Sequence, residues 1–184
     1  MRDDLSWIQT YTGKAFWPLD PLPDDVDIRD IAHHLSMICR FAGATREFYS
    51  VAQHSVLVSR NVPTEDALWG LLHDATEAYM IDLPRPIKRH NDLRLYRLAE
   101  DRLMDCLANH FGLVGKIPMS VHDADKQALW TERRDLLGPC DRRWDAWEHE
   151  IAAKAWVDPI ESWRPAVAER LFLDRYEELT GTRV

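Results

Sequence analysis

From about residue 50 onward, apolar residues return every three or four positions and no convincing stretch alternates, a spacing that admits helices and little else. Thr64, followed by the acidic Glu65 and Asp66, reads as a helix start. Leu68, Leu71, Leu72, Ala75 and Tyr79 then trace one face until Pro84 and Pro86 close the segment. Leu93, Tyr96, Leu103, Leu107 and Phe111 trace a second amphipathic helix, ended by Gly112. Ser120-Val-His-Asp123 has the form of a capping box that opens a helix through Ala124, Ala128 and Leu129 to about residue 137, where Gly138-Pro139 stops it. Two tail helices are expected over about 144–156 and 163–180, the latter with Val167, Leu171 and Leu179 on one stripe. Pro18, Pro21 and Pro23 among mixed aromatics make the first 30 residues an irregular or short-hairpin arm, preceding a helix over 28–41. No linker and no repeat interrupts the chain. The expectation is an all-α, single-domain helical bundle over 1–184, with C-terminal helices over about 144–180 packed on a core over about 28–137.

A chain of 184 residues can bury enough surface to fold without metal or disulfide staples, so a metal here would serve chemistry. With 23 Lys+Arg against 31 Asp+Glu the net charge is −8, the wrong sign for coating nucleic acid or an anionic membrane, though not for a small anionic substrate. The hydrophobic share of 46% with only 7 Gly is that of a globular protein. Cys39, Cys106 and Cys140 are far apart and odd in number, so no disulfide framework or zinc ribbon is readable. With no signal-peptide pattern after Met1 and no long apolar run, a soluble cytoplasmic protein without membrane contact is expected.

The histidines carry the chemistry. His73-Asp74 falls inside the Leu68–Tyr79 helix, His54 nineteen residues earlier on a neighbouring helix, and Asp125 on a later one. Buried carboxylates need compensation, which a divalent cation supplies. Two imidazoles and two carboxylates suit Mn, Fe, Co, Ni, Zn or Mg more than a thiolate-seeking ion, and leave coordination positions for water and substrate. Asp123 competes with Asp125 but is accounted for as the capping-box acid. Glu77 lies three residues after Asp74 and four after His73, on their helix face, and Asp82 lies just past the helix end.

His54, His73-Asp74 and Asp125 resemble the H…HD…D signature of the HD-domain phosphohydrolase superfamily. The string His73-Asp-Ala-Thr-Glu77, then Ile81-Asp-Leu-Pro-Arg-Pro-Ile-Lys88, is similar to the bacterial 5′-deoxynucleotidase branch and its phage and prophage relatives. Cys39-Arg40-Phe41, Tyr49-Ser-Val-Ala-Gln-His54 and Ala124-Asp125 leading into Thr131-Glu-Arg-Arg-Asp135 extend the likeness over roughly residues 5–137. The resemblance implies an HD-type helical core, one divalent metal on His54, His73, Asp74 and Asp125, and action of Glu77 and Asp82 at the phosphate. It further implies nucleotide contacts from Arg40, a homodimer, and hydrolysis at the 5′ phosphate of a deoxynucleotide mono- or triphosphate. Phe41 stands where one such relative has a tryptophan that helps exclude a ribose 2′-hydroxyl; phenylalanine lacks the N–H donor, which leaves deoxyribose selectivity open. Lys88 follows the Asp82-Leu-Pro turn and is the best-placed cation of a basic stretch that includes Arg94 and Arg97, themselves expected to face solvent. Hydrolysis of another phosphate compound, such as a signalling nucleotide, and a nucleotide-binding protein without catalysis are the alternatives.

Overall fold

Helix dominates residues 6–141 and 154–184, the parts of the chain that the computed structural model describes. The N-terminal arm is a hairpin, Ile8–Gln9 (β1) paired antiparallel with Ala15–Phe16 (β2), and Gly13 at φ 85° supplies the left-handed turn between them. The helices that follow are Ile28–Met37 (α1), Val51–Arg60 (α2), Ala67–Leu72 (α3), Glu77–Met80 (α4), Arg85–Lys88 (α5), Arg94–His110 (α6), Met119–Asp135 (α7) and Pro165–Thr180 (α8). The helix expected over 144–156 falls mainly outside the described residues.

Local chemistry explains most boundaries, including those that depart from the periodicity. Asp27 caps α1 by accepting from the Arg29 N–H. That helix stops at Met37, short of the expected 41, because Ile38 turns extended and the chain pairs back on Tyr49–Val51 through Arg40 N to Tyr49 O at 2.9 Å and Val51 N to Ile38 O at 3.1 Å. The expected helix through Tyr79 is interrupted between α3 and α4. There the bonding tightens to i→i+3 steps, Ala75 N to Leu72 O at 3.0 Å and Glu77 N to Asp74 O at 3.0 Å. Helix α7 begins at Met119, and the Ser120 hydroxyl bonds Asp66 on another segment, so the expected capping box does not form. On α8 the stripe against the core runs through Ala168, Phe172, Tyr176 and the expected Leu179, while Ala168 and Phe172 stand one residue round from the expected Val167 and Leu171.

Phe16, Ile31, Leu35, Val56, Leu71, Leu72, Leu103, Leu107 and Phe172 form the main apolar cluster, which joins the arm, α1, α2, α3, α6 and α8. Each such side chain contributes about 1.5–3 kcal/mol on burial. A second cluster of Val58, Trp69, Val121, Ala124 and Ala128 fastens α7 to α2 and α3. Helix α2 is therefore covered on nearly all sides, by α1, α3, α7 and α8, and a polar group on its covered faces can find a partner only inside the protein. Among the described residues no helix is long and apolar enough to cross a membrane.

Candidate functional site

Helix α2 meets its neighbour α3 closely because Gly70 has no side chain. A Cβ there would stand 2.9 Å from the Ser59 Cα. This approach brings His73, at the end of α3, against His54 in the middle of α2, with their Nε2 atoms 3.2 Å apart. The tightened turn after His73 aims Asp74 the same way, its Oδ2 3.3 Å from His73 Nε2 and 3.6 Å from His54 Nε2. These three ligand atoms lie within 4.8 Å of one another. Helix α7 adds Asp125, whose Oδ1 is 3.3 Å from His54 Nε2 and which stands outside the tight trio. Asp123 is exposed.

The trio fits a single divalent ion. Two ligand atoms each about 2.1 Å from one ion, at angles of about 90–120°, are about 3.0–3.6 Å apart; the spacings within the trio are 3.2–3.6 Å. Both imidazoles are also oriented from behind: His73 Nδ1 meets the Gly70 carbonyl at 2.8 Å, and His54 Nδ1 meets Glu132 Oε1 at 2.7 Å. Each ring thereby turns Nε2 toward the common centre, which is how metal-binding histidines are held.

Glu132 was not singled out from the sequence, yet it anchors the site. Fully buried on α7, it accepts from Tyr49 Oη at 2.9 Å and from Arg40 Nη2 at 3.3 Å besides binding His54. Arg40 reaches Asp74 Oδ2 with its other terminal nitrogen, also at 3.3 Å. Its guanidinium thus ties the anchor of one ligand to another ligand directly. The available signal was position: Glu132 follows Asp125 by seven residues, two turns along the same helix face.

Electrostatics divides these groups into charged and neutral. Burial and Arg40 both oppose a charge on His54, but Glu132 and the hydrogen bond to Asp125 outweigh them and raise its pKa to about 9. Burial likewise opposes ionised Asp74, Asp125 and Glu132. His73 and His54 nevertheless hold Asp74 well below the usual carboxylate range, His54 brings Asp125 to about 2, and Arg40 with His54 lowers Glu132. Glu77 behaves oppositely: burial, then the charges of Asp74 and Asp82, push its pKa well above the ordinary value. Its Oε2 is buried and has no hydrogen-bond partner. Asp82 is raised as well, chiefly by burial.

Asp74 and Asp125 open into a cavity of about 1130 Å³. Asp74, Glu77, Asp82 and Asp125 line it, and Arg40, Phe41, Arg85, Lys88, Arg89, Arg94 and Arg97 supply an apolar face and six cations. Every residue expected at the site from the sequence therefore meets either the ligand cluster or this cavity. Arg94 and Arg97, expected on a solvent face, also reach its wall, although Arg97 spends its guanidinium on the Lys88 and His90 carbonyls at 2.6 and 2.8 Å. Lys88 is bound to Glu100, its Nζ 2.5 Å from Oε1. Phe41, at φ 56°, lies under the Arg40 guanidinium, 5.3 Å from carbon to ring centroid. His33 and His34 are engaged elsewhere, with Glu169 and the Ala78 carbonyl.

No family model matches the chain. It is 36% identical to an uncharacterized protein of Rhodobacter capsulatus over 132 residues, 67% of each chain. It is 41% identical to the uncharacterized protein YfdR of Escherichia coli K12 over 180 residues, 97% of this chain and 98% of that one. Matched nearly end to end at this identity, the chain belongs to the YfdR family.

Proposed function

We propose that this protein is a metal-dependent phosphohydrolase of the HD-domain type that releases phosphate from the 5′ position of a nucleotide. The observation that carries the reading is the convergence of His54, His73 and Asp74, with Asp125 3.3 Å from His54, beside a cavity whose lining includes six cations. His54 and His73 would hold one divalent ion with Asp74 and Asp125. A bound ion of this kind supplies Lewis-acid polarisation of the phosphate and a more acidic water.

The chain's own residues account for the remaining requirements. Arg40 and Lys88 offer positive charge to the phosphate oxygens, and Phe41 offers a flat apolar surface to the sugar or base. Hydrolysis adds one water oxygen to phosphorus, breaks the bond to the leaving oxygen and moves one proton from that water to the leaving oxygen. Glu77, whose carboxyl is pushed well above its ordinary pKa by burial and by the charges of Asp74 and Asp82, and whose Oε2 is unpartnered, is suited to hand over a proton. Asp82, at the cavity edge and more weakly perturbed, is suited to accept one from water. The homodimer implied by the resemblance belongs to the same reading and is tested by sedimentation equilibrium.

The direct test is an assay of the purified protein with Mn²⁺ or Co²⁺ against ribo- and deoxynucleoside 5′-mono-, di- and triphosphates. Metal-dependent phosphate or polyphosphate release is expected. No turnover of any nucleotide by protein with metal demonstrably bound rejects the proposal.

A further inference from the structure

Among the described residues only Phe41, Ala42 and Ile81 are non-glycine residues at positive φ, and all three adjoin residues that line the cavity. Ile81 is the extreme case. At φ 67° and ψ 151° it occupies a region that is nearly glycine's alone, and a β-branched side chain makes it worse. Such a residue persists only where its surroundings over-determine it. Its own side chain does not compensate, since Ile81 is 62% exposed. The Ile81 N–H closes α4 on the Glu77 carbonyl at 2.9 Å, and the very next residue is Asp82, which returns to the cavity beside Glu77.

What holds this linkage is on α6. The Tyr96 hydroxyl donates to the Met80 carbonyl at 2.7 Å and lies 3.4 Å from the Ile81 carbonyl. Those carbonyls belong to the peptide planes before and after Ile81, and φ and ψ of Ile81 are the rotations that relate the two planes. One hydroxyl in reach of both therefore fixes the strained conformation directly. The adjacent Arg97 fastens the far end of the same segment through the Lys88 and His90 carbonyls. Segment 81–90, which carries Asp82, Arg85 and Lys88, is strapped to α6 at both ends.

We propose that Tyr96 is a positioning residue for Asp82: its hydroxyl holds the Met80-Ile81-Asp82 backbone in its glycine-like turn and so keeps the Asp82 carboxylate at the cavity. The role of Asp82 rests on the function proposed above; the latch itself does not. Without the hydroxyl, Ile81 relaxes to an ordinary conformation and Asp82 is carried off its station. Glycine at position 81 occupies the turn at no steric cost and makes the latch largely dispensable.

The test compares the full-length wild type with Tyr96→Phe, Ile81→Gly and the double variant, by two readouts. One is backbone amide exchange over residues 82–88; the other is phosphate release from a mixture of the 2′-deoxynucleoside 5′-mono- and triphosphates with Mn²⁺. In Tyr96→Phe, exchange over the segment should accelerate and phosphate release should fall, each at least about fivefold, the scale of one lost hydrogen bond, with Mn²⁺ stoichiometry unchanged. Adding Ile81→Gly should recover at least half of both losses, a rescue that a purely structural tyrosine would not give. Exchange and release like the wild type in Tyr96→Phe, or no recovery in the double variant, overturns the latch. The expected exchange pattern in a metal-bound protein that turns over no ribo- or deoxynucleotide, to phosphate or to polyphosphate, supports the latch and rejects the proposed function instead.

Discussion

The two walls of the cavity are built on opposite plans. The ligand wall stands on regular structure: α2 gives His54, the α3 end gives His73 and Asp74, and α7 gives Asp125 and its neighbour Glu132 two turns on. The other wall is made of short and irregular pieces, the left-handed turn around Phe41 and the segment after Ile81 that carries Asp82, Arg85 and Lys88. The comparison teaches where each kind of precision comes from. Ligand atoms 3.2–3.6 Å apart need backbones that packing has already fixed, and α2 is covered on nearly all sides. A wall that must meet a substrate is set instead by single hydrogen bonds, such as those from Tyr96 and Arg97, that one substitution can loosen.

Substitutions on either wall should therefore separate metal binding from turnover. The largest effect is expected from Glu77→Gln, which keeps the shape but removes the transferable proton. Steady-state turnover should fall by about 10²–10⁴ while Mn²⁺ content stays at the wild-type level. Equal loss of metal would place Glu77 on the ligand side and blur the division. Next comes Glu132→Gln behind His54: Mn²⁺ affinity, measured by titration calorimetry, should weaken by about 10- to 100-fold without any change at the substrate wall.

Proton linkage gives a third way to probe the ligand wall. The His54 pKa in the folded, metal-free protein is raised to about 9 from an ordinary value near 6.5. Its stabilising contribution is therefore complete below about pH 6.5 and lost as pH rises through about 9. Metal-free protein should melt at a lower temperature at pH 9 than at pH 6.5. Because an ion must displace the His54 proton, Mn²⁺ affinity should rise by about tenfold per pH unit between pH 6.5 and 8.5. A flat affinity profile would mean that His54 binds no metal. The smallest effect is expected on the irregular wall, where Lys88→Ala should raise the KM for nucleotide by about fivefold and leave metal affinity alone, because Glu100 already offsets part of its charge.

The ligand wall was also the more legible in the sequence. His54, His73, Asp74 and Asp125 are residue types that a metal demands, and helical spacing alone assigned them to separate helices, so their meeting followed once α2, α3 and α7 packed. Glu132 was hidden because its function is to face another side chain and not the cavity. The break between α3 and α4 left no mark, since Leu71, Leu72, Ala75 and Tyr79 satisfy a tightened turn as well as a regular helix. Ser120 and Asp123 have the pattern of a capping box, but the Ser120 hydroxyl is drawn away by Asp66, a contact with a distant segment that no local rule contains. Ile81 was the least legible of all. Its residue type argues against the conformation it adopts, and Tyr96, fifteen residues later, supplies the reason.

The central claim is that one divalent ion is held by residues from three helical segments. Equilibrium dialysis of Mn²⁺ against wild type and Asp74→Ala, with metal counted by mass spectrometry and folding verified by circular dichroism, tests it most directly. The account predicts about one ion per wild-type chain and none retained by the folded variant at the same free Mn²⁺. A wild type without metal, or a variant that binds it as tightly, would contradict it.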